Sequence, residues 1–128
     1  MSKKTYERDE PLLATGGRDP DSNYGIVNPP VYHASTVLFP TVAALDKGIA
    51  NRYEGVYYGL NGTPTTFAFQ DAVAELEGYS HAIAVPSGLA AIVAALLAFL
   101  ENGDHLLMVD SVYGPSRRFC DGMLKRFG

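Results

Sequence analysis

The feature that most constrains the fold is an uninterrupted apolar run, LAAIVAALLAFL, at residues 89–100. The run is long enough for three helical turns but too short to span a bilayer, which takes roughly 18 or more residues. A helix that is apolar on every side is typical of one buried between other elements. The run therefore predicts a buried helix, ending at residue 101, in a soluble domain.

Helix-like and strand-like patterns alternate after residue 65. Thr63 and Pro64 predict the start of a helix, and Gly78 predicts its end. Apolar stretches at 81–85 and 105–109 have the length of strands. A further helix is predicted from Pro115, and its apolar face contains Phe119, Cys120, Met123, Leu124 and Phe127. Strands that alternate with helices predict a parallel sheet and an α/β fold.

The first half of the chain has a different character. Six of the prolines and many of the glycines lie before residue 65, which disfavours long helices and central strands. We expect residues 1–65 to form an extended N-terminal arm with one short helix at 42–49, capped by Thr41. Apolar side chains in the arm predict that it packs on its own domain or on a partner subunit. Residues 66–128 would then begin an α/β domain.

The turn between the first predicted strand and the apolar helix reads Pro86-Ser87-Gly88. Ligands of open α/β sheets bind at such strand ends, and the unpaired N–H groups of a helix start attract anions. Ser87 would add a hydroxyl donor, and Gly88 would let the backbone approach closely. The spacing fits equally a tight turn in which Ser87 is an ordinary N-cap. No P-loop and no G-x-G-x-x-G motif is present.

Composition excludes several classes of function. The net charge of −4 argues against a general nucleic-acid binder. The single cysteine, Cys120, provides no disulfide and no Cys-pair metal site, and we expect it in the core. The N-terminal residues contain no apolar segment typical of a secretory signal. We expect a cytoplasmic protein without a metal site and without membrane or nucleic-acid partners.

Four stretches together resemble one enzyme family. They are NPPVYHASTVLF at 28–39, YYGLNGTPTTFAFQDAVAELEG at 57–78, VPSGLAAI at 85–92 and NGDHLLMVDSVYGPS at 102–116. This order and spacing resembles the N-terminal part of the pyridoxal 5'-phosphate (PLP) dependent trans-sulfuration enzymes of cysteine and methionine metabolism. The resemblance implies PLP as cofactor and an incomplete aspartate aminotransferase-like (fold type I) large domain.

The resemblance also implies roles for matching residues. Gly88 and Leu89 would donate backbone N–H groups to the cofactor phosphate, and Tyr113 would stack on the pyridine ring. Tyr58 would reach the phosphate of a neighbouring subunit's cofactor. The family usually has an arginine two residues after this tyrosine, and Leu60 stands there instead. Without the family, Tyr113 is equally a loop aromatic covering the sheet end, and Tyr58 a buried aromatic of the arm.

No catalytic residue is expected in this chain. The resemblance implies that the Schiff-base lysine, and the carboxylate that pairs with the pyridine nitrogen, belong to a later part of a longer enzyme. None of the lysines present has the sequence context of that segment; they are Lys3, Lys4, Lys47 and Lys125. We therefore expect an N-terminal fragment that is marginally stable and inactive on its own.

The implied activity is carbon–sulfur lyase chemistry on a small amino-acid substrate. The motifs favour the members that cleave cystathionine to homocysteine, pyruvate and ammonia in methionine biosynthesis, as a tetramer of active dimers. Cystathionine γ-synthases, γ-lyases and O-acyl-homoserine sulfhydrylases share the same motifs. Two hypotheses of other classes remain: a non-catalytic chain that pairs with a full-length homologue, and a small phosphate-binding α/β domain.

Overall fold

A computed structural model of the chain describes residues 9–53 and 55–128. They fall into two compact units, one ending at Ile83 and the other running from Ala84 to Gly128. The helices of the first unit are α1 (Asp9–Thr15), α2 (Val42–Ala50) and α3 (Pro64–Glu77), and the unit also has a 3₁₀ turn at Asp21–Asn23. The helices of the second unit are α4 (Gly88–Phe99) and α5 (Gly114–Phe119). Helix α5 continues into a π-helical turn at Cys120–Leu124. The domain boundary proposed at residue 65 stays a prediction.

Helix α1 is a correction to the extended arm predicted for residues 1–65. Pro11 stands in its first turn, where a missing N–H breaks no helical bond, and the good helix formers Leu-Leu-Ala follow. The Thr15 hydroxyl donates to the Pro11 carbonyl at 2.7 Å. Helix α1 packs against α3. Residues 1–8 of the predicted arm lie outside the described residues.

Thr65 ties the middle of the arm to the start of α3. Its hydroxyl donates to the Pro30 carbonyl at 2.7 Å and accepts from the Tyr32 N–H at 2.8 Å. One side chain in the first turn of α3 thus satisfies two backbone groups of a proline-rich segment that has no regular structure of its own. The arm packs on its own unit here, which is one of the two arrangements expected from its apolar side chains.

The starts of α2 and α3 and the end of α3 follow the caps predicted from the sequence, and α2 ends one residue beyond its predicted end. Thr41 precedes α2, and its hydroxyl oxygen accepts from the Ala44 N–H at 3.1 Å. Thr63 occupies the N-cap position of α3 without a side-chain bond to the helix backbone. Gly78 ends α3 in the left-handed region, with φ of 73°, as glycine does in this conformation at low cost.

The second unit departs from the predicted helices in two places. Helix α4 ends at Phe99, two residues before the predicted end at 101. The helix after Tyr113 changes from α to π at Cys120. A π turn is wider than an α turn, so residues three or four apart no longer share one face. Cys120 is buried as predicted, whereas Met123 and Phe127 of the predicted apolar face are exposed.

Neither predicted strand, at 81–85 or 105–109, is present among residues 9–53 and 55–128. A strand exists only as part of a ladder of backbone hydrogen bonds, and no described ladder bond involves these stretches. Their side chains are correspondingly open to water: Ile83 is 81% exposed and Leu107 is 88% exposed. The α/β sheet predicted from the alternating pattern is therefore not formed in this part of the chain.

The apolar helix α4 is also not buried as predicted. None of its residues is buried, and Phe99 is 84% exposed. Across the described residues, the buried apolar side chains are those of Ala74 and Cys120. Among the described elements, α5 is the one that contacts α4. None of the helices in this part of the chain has both the length and the apolar character that a membrane span needs.

A close backbone contact holds the turn that begins at Tyr58. The Tyr58 carbonyl accepts from the Asn61 N–H at 2.9 Å, and the Gly59 N–H donates to the Ser35 carbonyl at 2.7 Å. A Cβ placed on Gly59 would overlap the backbone carbonyl of Ala34. Glycine is therefore needed at position 59 because two backbone segments meet there.

We predict that Gly59→Ala opens this contact. Overpacking of this kind destabilises by about 1–3 kcal/mol, so limited proteolysis of the full-length protein should cleave the arm faster near residues 34–60. Gly55→Ala is the matched control, because a Cβ at Gly55 meets no atom within 4 Å. Equal cleavage rates for the two variants would contradict the prediction.

Candidate functional site

The start of α4 leaves two neighbouring backbone donors without a partner. The Ser87 hydroxyl oxygen accepts from the Ala90 N–H at 3.1 Å, and the Ser87 carbonyl accepts from the Ala91 N–H at 3.1 Å. No acceptor within the described residues bonds the N–H groups of Gly88 and Leu89. Both donors lie at the positive end of the helix dipole, which favours an anion there.

The space next to these donors is open. A Cβ built on Gly88 meets no atom within 4 Å. Ser87 is the N-cap, with extended φ and ψ of −160° and 160°, and this confirms one of the two roles that the sequence left open. The cap bond uses its hydroxyl oxygen only as an acceptor, so the hydroxyl hydrogen can still be donated to a ligand.

Tyr113 lies in the same compact unit as α4, at the start of α5. It is the N-cap residue of α5, which packs against α4. Its carbonyl accepts from the Ser116 N–H at 2.9 Å and from the Arg117 N–H at 3.2 Å, which fixes the backbone. The side chain is 61% exposed, so its ring face is available to a flat ligand.

Tyr58 belongs to the other compact unit, which ends at Ile83. Its side chain is 39% exposed, which does not agree with a buried aromatic of the arm. Leu60 is 86% exposed and carries neither a charge nor a donor. The structure thus places three of the four predicted cofactor-binding residues in one unit: Gly88, Leu89 and Tyr113.

Two residues near Tyr113 escaped the sequence analysis. The Arg117 guanidinium donates to the carbonyls of Val109 and Asp110, each at 3.1 Å. Ser116 is 3% exposed, and its Oγ has no hydrogen-bond partner among the described residues. The sequence signal for Arg117 is weak: it is a basic residue one helical turn after Tyr113. No sequence pattern points to the burial of Ser116.

The cavities of the described residues do not coincide with these donors. The first unit contains cavities of about 490 and 370 Å³, and a cavity of about 300 Å³ lies at the end of α4. None of the three is lined by a predicted cofactor-binding residue. An anion held by a helix start needs donors rather than enclosure, so the unpaired amides can form a site outside these cavities.

Two further features bear on chemistry. The described residues contain no group of three or more His, Cys, Asp and Glu side chains placed to hold a metal ion. Lys47 lies in the last turn of α2, and Lys125 follows the π-helical turn. Lys3 and Lys4 lie outside the described residues.

Unpaired amides at a helix start, with an exposed tyrosine on the neighbouring helix, fit a flat ligand that carries a phosphate. Such a ligand is typical of enzymes with phosphorylated aromatic cofactors. The chain belongs to the Cys/Met metabolism PLP-dependent enzyme family, whose model matches residues 10–128. This confirms the family predicted from the sequence, and with it PLP as the cofactor of the family.

Curated relatives agree with this assignment. The chain is 54% identical over 112 residues to a putative cystathionine beta-lyase of Rhizobium johnstonii, covering 88% of this chain and 27% of the relative. It is 39% identical over 117 residues to cystathionine beta-lyase MetC of Escherichia coli, with coverage of 91% and 30%. It is 37% identical over 134 residues to the L-alanine/L-glutamate racemase of Wolbachia pipientis, with coverage of 94% and 32%. The chain thus spans about a third or less of the relatives' length.

We predict that Gly88→Pro weakens PLP binding in the full-length protein. Proline lacks the N–H but fits the first position of a helix, and Ser87 already has the extended backbone that precedes a proline. The loss of one hydrogen bond to a charged phosphate is worth about 1.5–3 kcal/mol, so the dissociation constant measured by fluorescence titration should rise at least tenfold.

Val42→Pro is the matched control for this experiment. It places proline at the first position of α2, after the extended cap residue Thr41, and away from the α4 donors. Far-ultraviolet circular dichroism should show that both variants retain their helices. Unchanged PLP affinity in a folded Gly88→Pro protein would remove Gly88 from the site.

Proposed function

We propose that this chain is the N-terminal part of a PLP-dependent carbon–sulfur lyase that cleaves cystathionine to homocysteine, pyruvate and ammonia. The observation that carries the proposal is the pair of unpaired N–H groups at the start of α4, at the positions where the family resemblance expects the phosphate. The names of the Rhizobium and Escherichia relatives support the choice of substrate. The reaction would belong to methionine biosynthesis.

In this proposal the residues of the chain hold and orient the cofactor. Gly88 and Leu89 donate their N–H groups to its phosphate, and the hydroxyl of Ser87 adds a donor beside them. Tyr113 lies against the pyridine ring, where an aromatic pair adds about 0.5–1.5 kcal/mol beyond area burial. Bound PLP supplies the electron sink that stabilises negative charge at the substrate Cα.

The remaining parts of the site come from outside this chain. We propose that the full-length enzyme has the fold type I large domain, in which 81–85 and 105–109 pair as strands of a parallel sheet. A later segment supplies the covalent lysine and the carboxylate for the pyridine nitrogen. The full-length enzyme is a cytoplasmic tetramer of active dimers, in which Tyr58 reaches the phosphate of the neighbouring subunit's cofactor.

Other activities of the same family compete with this proposal. Cystathionine γ-synthases, γ-lyases and sulfhydrylases share the motifs, and the Wolbachia relative is named as an alanine and glutamate racemase. The products separate the two lyase reactions, because β-elimination from cystathionine gives pyruvate and γ-elimination gives 2-oxobutyrate. Racemisation gives the opposite enantiomer of alanine or glutamate without carbon–sulfur cleavage.

The test of the proposed function is a product assay on the full-length, PLP-loaded protein. With L-cystathionine we expect equal amounts of pyruvate and homocysteine, measured by chromatography. Formation of 2-oxobutyrate from cystathionine would overturn the choice of reaction. Formation of D-alanine from L-alanine, with no pyruvate from cystathionine, would overturn it as well. A non-catalytic chain would instead co-migrate with a full-length homologue on size exclusion and leave both substrates unchanged.

We predict that Leu60→Arg tightens PLP binding in the full-length protein. The substitution restores the arginine that the family usually carries two residues after Tyr58, and Leu60 is exposed, so the new side chain has room. A partly exposed ion pair is worth about 1 kcal/mol or less, so the dissociation constant should fall by about two- to fivefold. Leu60→Gln is the control of similar size without charge.

Salt provides the second measurement for this variant. Interactions between exposed charges are screened at high ionic strength, so the gain from Leu60→Arg should shrink between 50 mM and about 1 M salt. If Leu60→Gln raises PLP affinity as much as Leu60→Arg, residue 60 does not face the phosphate. The same conclusion follows if salt leaves the gain in affinity from Leu60→Arg unchanged.

A further inference from the structure

Arg117 holds both ends of the loop that carries Tyr113. One nitrogen of its guanidinium donates to the carbonyls of Val109 and Asp110, at 3.1 Å each. These carbonyls stand at the end of the 105–109 segment, where the loop begins. At the other end, the Arg117 backbone N–H donates to the Tyr113 carbonyl at 3.2 Å. A single residue thus bonds the loop where it begins and where it ends.

The loop has few other bonds that could fix its shape. Two other described backbone bonds involve residues 110–113: the Val112 N–H donates to the Val109 carbonyl at 3.3 Å, and the Ser116 N–H donates to the Tyr113 carbonyl at 2.9 Å. The carboxylate of Asp110 lies 3.5 Å from the Arg117 guanidinium, but it is fully exposed, and such pairs contribute little. The bonds from the guanidinium to the two carbonyls are therefore the main constraint on the start of the loop.

We propose that Arg117 is a positioning residue for the cofactor: it acts through Tyr113 and holds the tyrosine ring at the angle that the pyridine face requires. This inference rests on the proposed PLP site. The two N–H groups of the guanidinium nitrogen are directed at two successive carbonyls, so rotation of the peptide between Val109 and Asp110 breaks at least one bond. The tyrosine ring itself is exposed and depends on the backbone for its orientation.

The neighbouring Arg118 provides a matched control. It has the same charge and lies on the same helix, but it is exposed, and its side chain makes no hydrogen bond to any described residue. The experiment compares Arg117→Gln with Arg118→Gln in the full-length protein. We expect Arg117→Gln to weaken PLP binding about two- to tenfold, the size of a ring-stacking contribution, and to reduce the circular dichroism of the cofactor absorption band. Arg118→Gln should change neither.

A double-mutant cycle tests whether Arg117 acts through Tyr113. In a Tyr113→Leu protein, which has no aromatic ring to position, Arg117→Gln should have little further effect on PLP affinity. Arg117→Lys keeps the charge and can still donate to both carbonyls, so it should restore part of the affinity. The proposal is overturned if Arg117→Gln weakens binding by the same factor with and without the Tyr113 ring, or if the two glutamine variants behave alike.

Hydrogen exchange of the cofactor-free protein separates this proposal from the proposed function. Arg117→Gln should speed exchange of the Val112 amide, whose bond to the Val109 carbonyl is the one described for the amides of residues 110–114, and Arg118→Gln should leave it unchanged. If the unsubstituted protein binds no PLP, the proposed function fails and the role of Arg117 towards the cofactor fails with it. If PLP binds normally but loop exchange is the same in both variants, the positioning role alone fails.

Discussion

The arrangement at the start of α4 depends on how one serine distributes its hydrogen bonds. Ser87 takes the N–H groups of Ala90 and Ala91, one through its hydroxyl oxygen and one through its carbonyl. The cap orders the first turn, and the amides of Gly88 and Leu89 keep no hydrogen-bond acceptor among the described residues. A helix start needs a cap to be stable and free donors to bind an anion. Ser87 meets both needs because its bonds are made further along the helix.

The positions of α2 and α3 followed closely from local sequence, because caps and glycine stops act over a few residues, whereas α1 was not predicted. Thr41, Thr63 and Gly78 stand at the predicted ends of α2 and α3. The strands at 81–85 and 105–109 did not form, because a strand needs a partner that local sequence cannot supply. The π-helical turn at Cys120–Leu124 was missed for another reason: an apolar pattern with α spacing does not reveal a change of hydrogen-bond register.

The residues proposed to bind or position the cofactor also differ in how far the sequence could predict them. The Ser-Gly pair before an apolar helix left an anion site and an ordinary cap both open, and the family resemblance assigned the donors to Gly88 and Leu89. Arg117 was missed because its importance depends on two carbonyls seven and eight residues away, a relation that only the folded loop creates. Backbone amides are supplied by any sequence that forms the turn, whereas orientation of the Tyr113 ring depends on one particular side chain.

The uncovered state of α4 has a thermodynamic consequence. Leu97 and Phe99 keep most of their surface in water, and hydrated apolar surface carries a large positive heat capacity. Whatever element comes to cover this helix must release that water, and the association will show a negative change in heat capacity. Calorimetry at several temperatures can therefore detect the event even if it leaves the secondary structure of the helix unaltered.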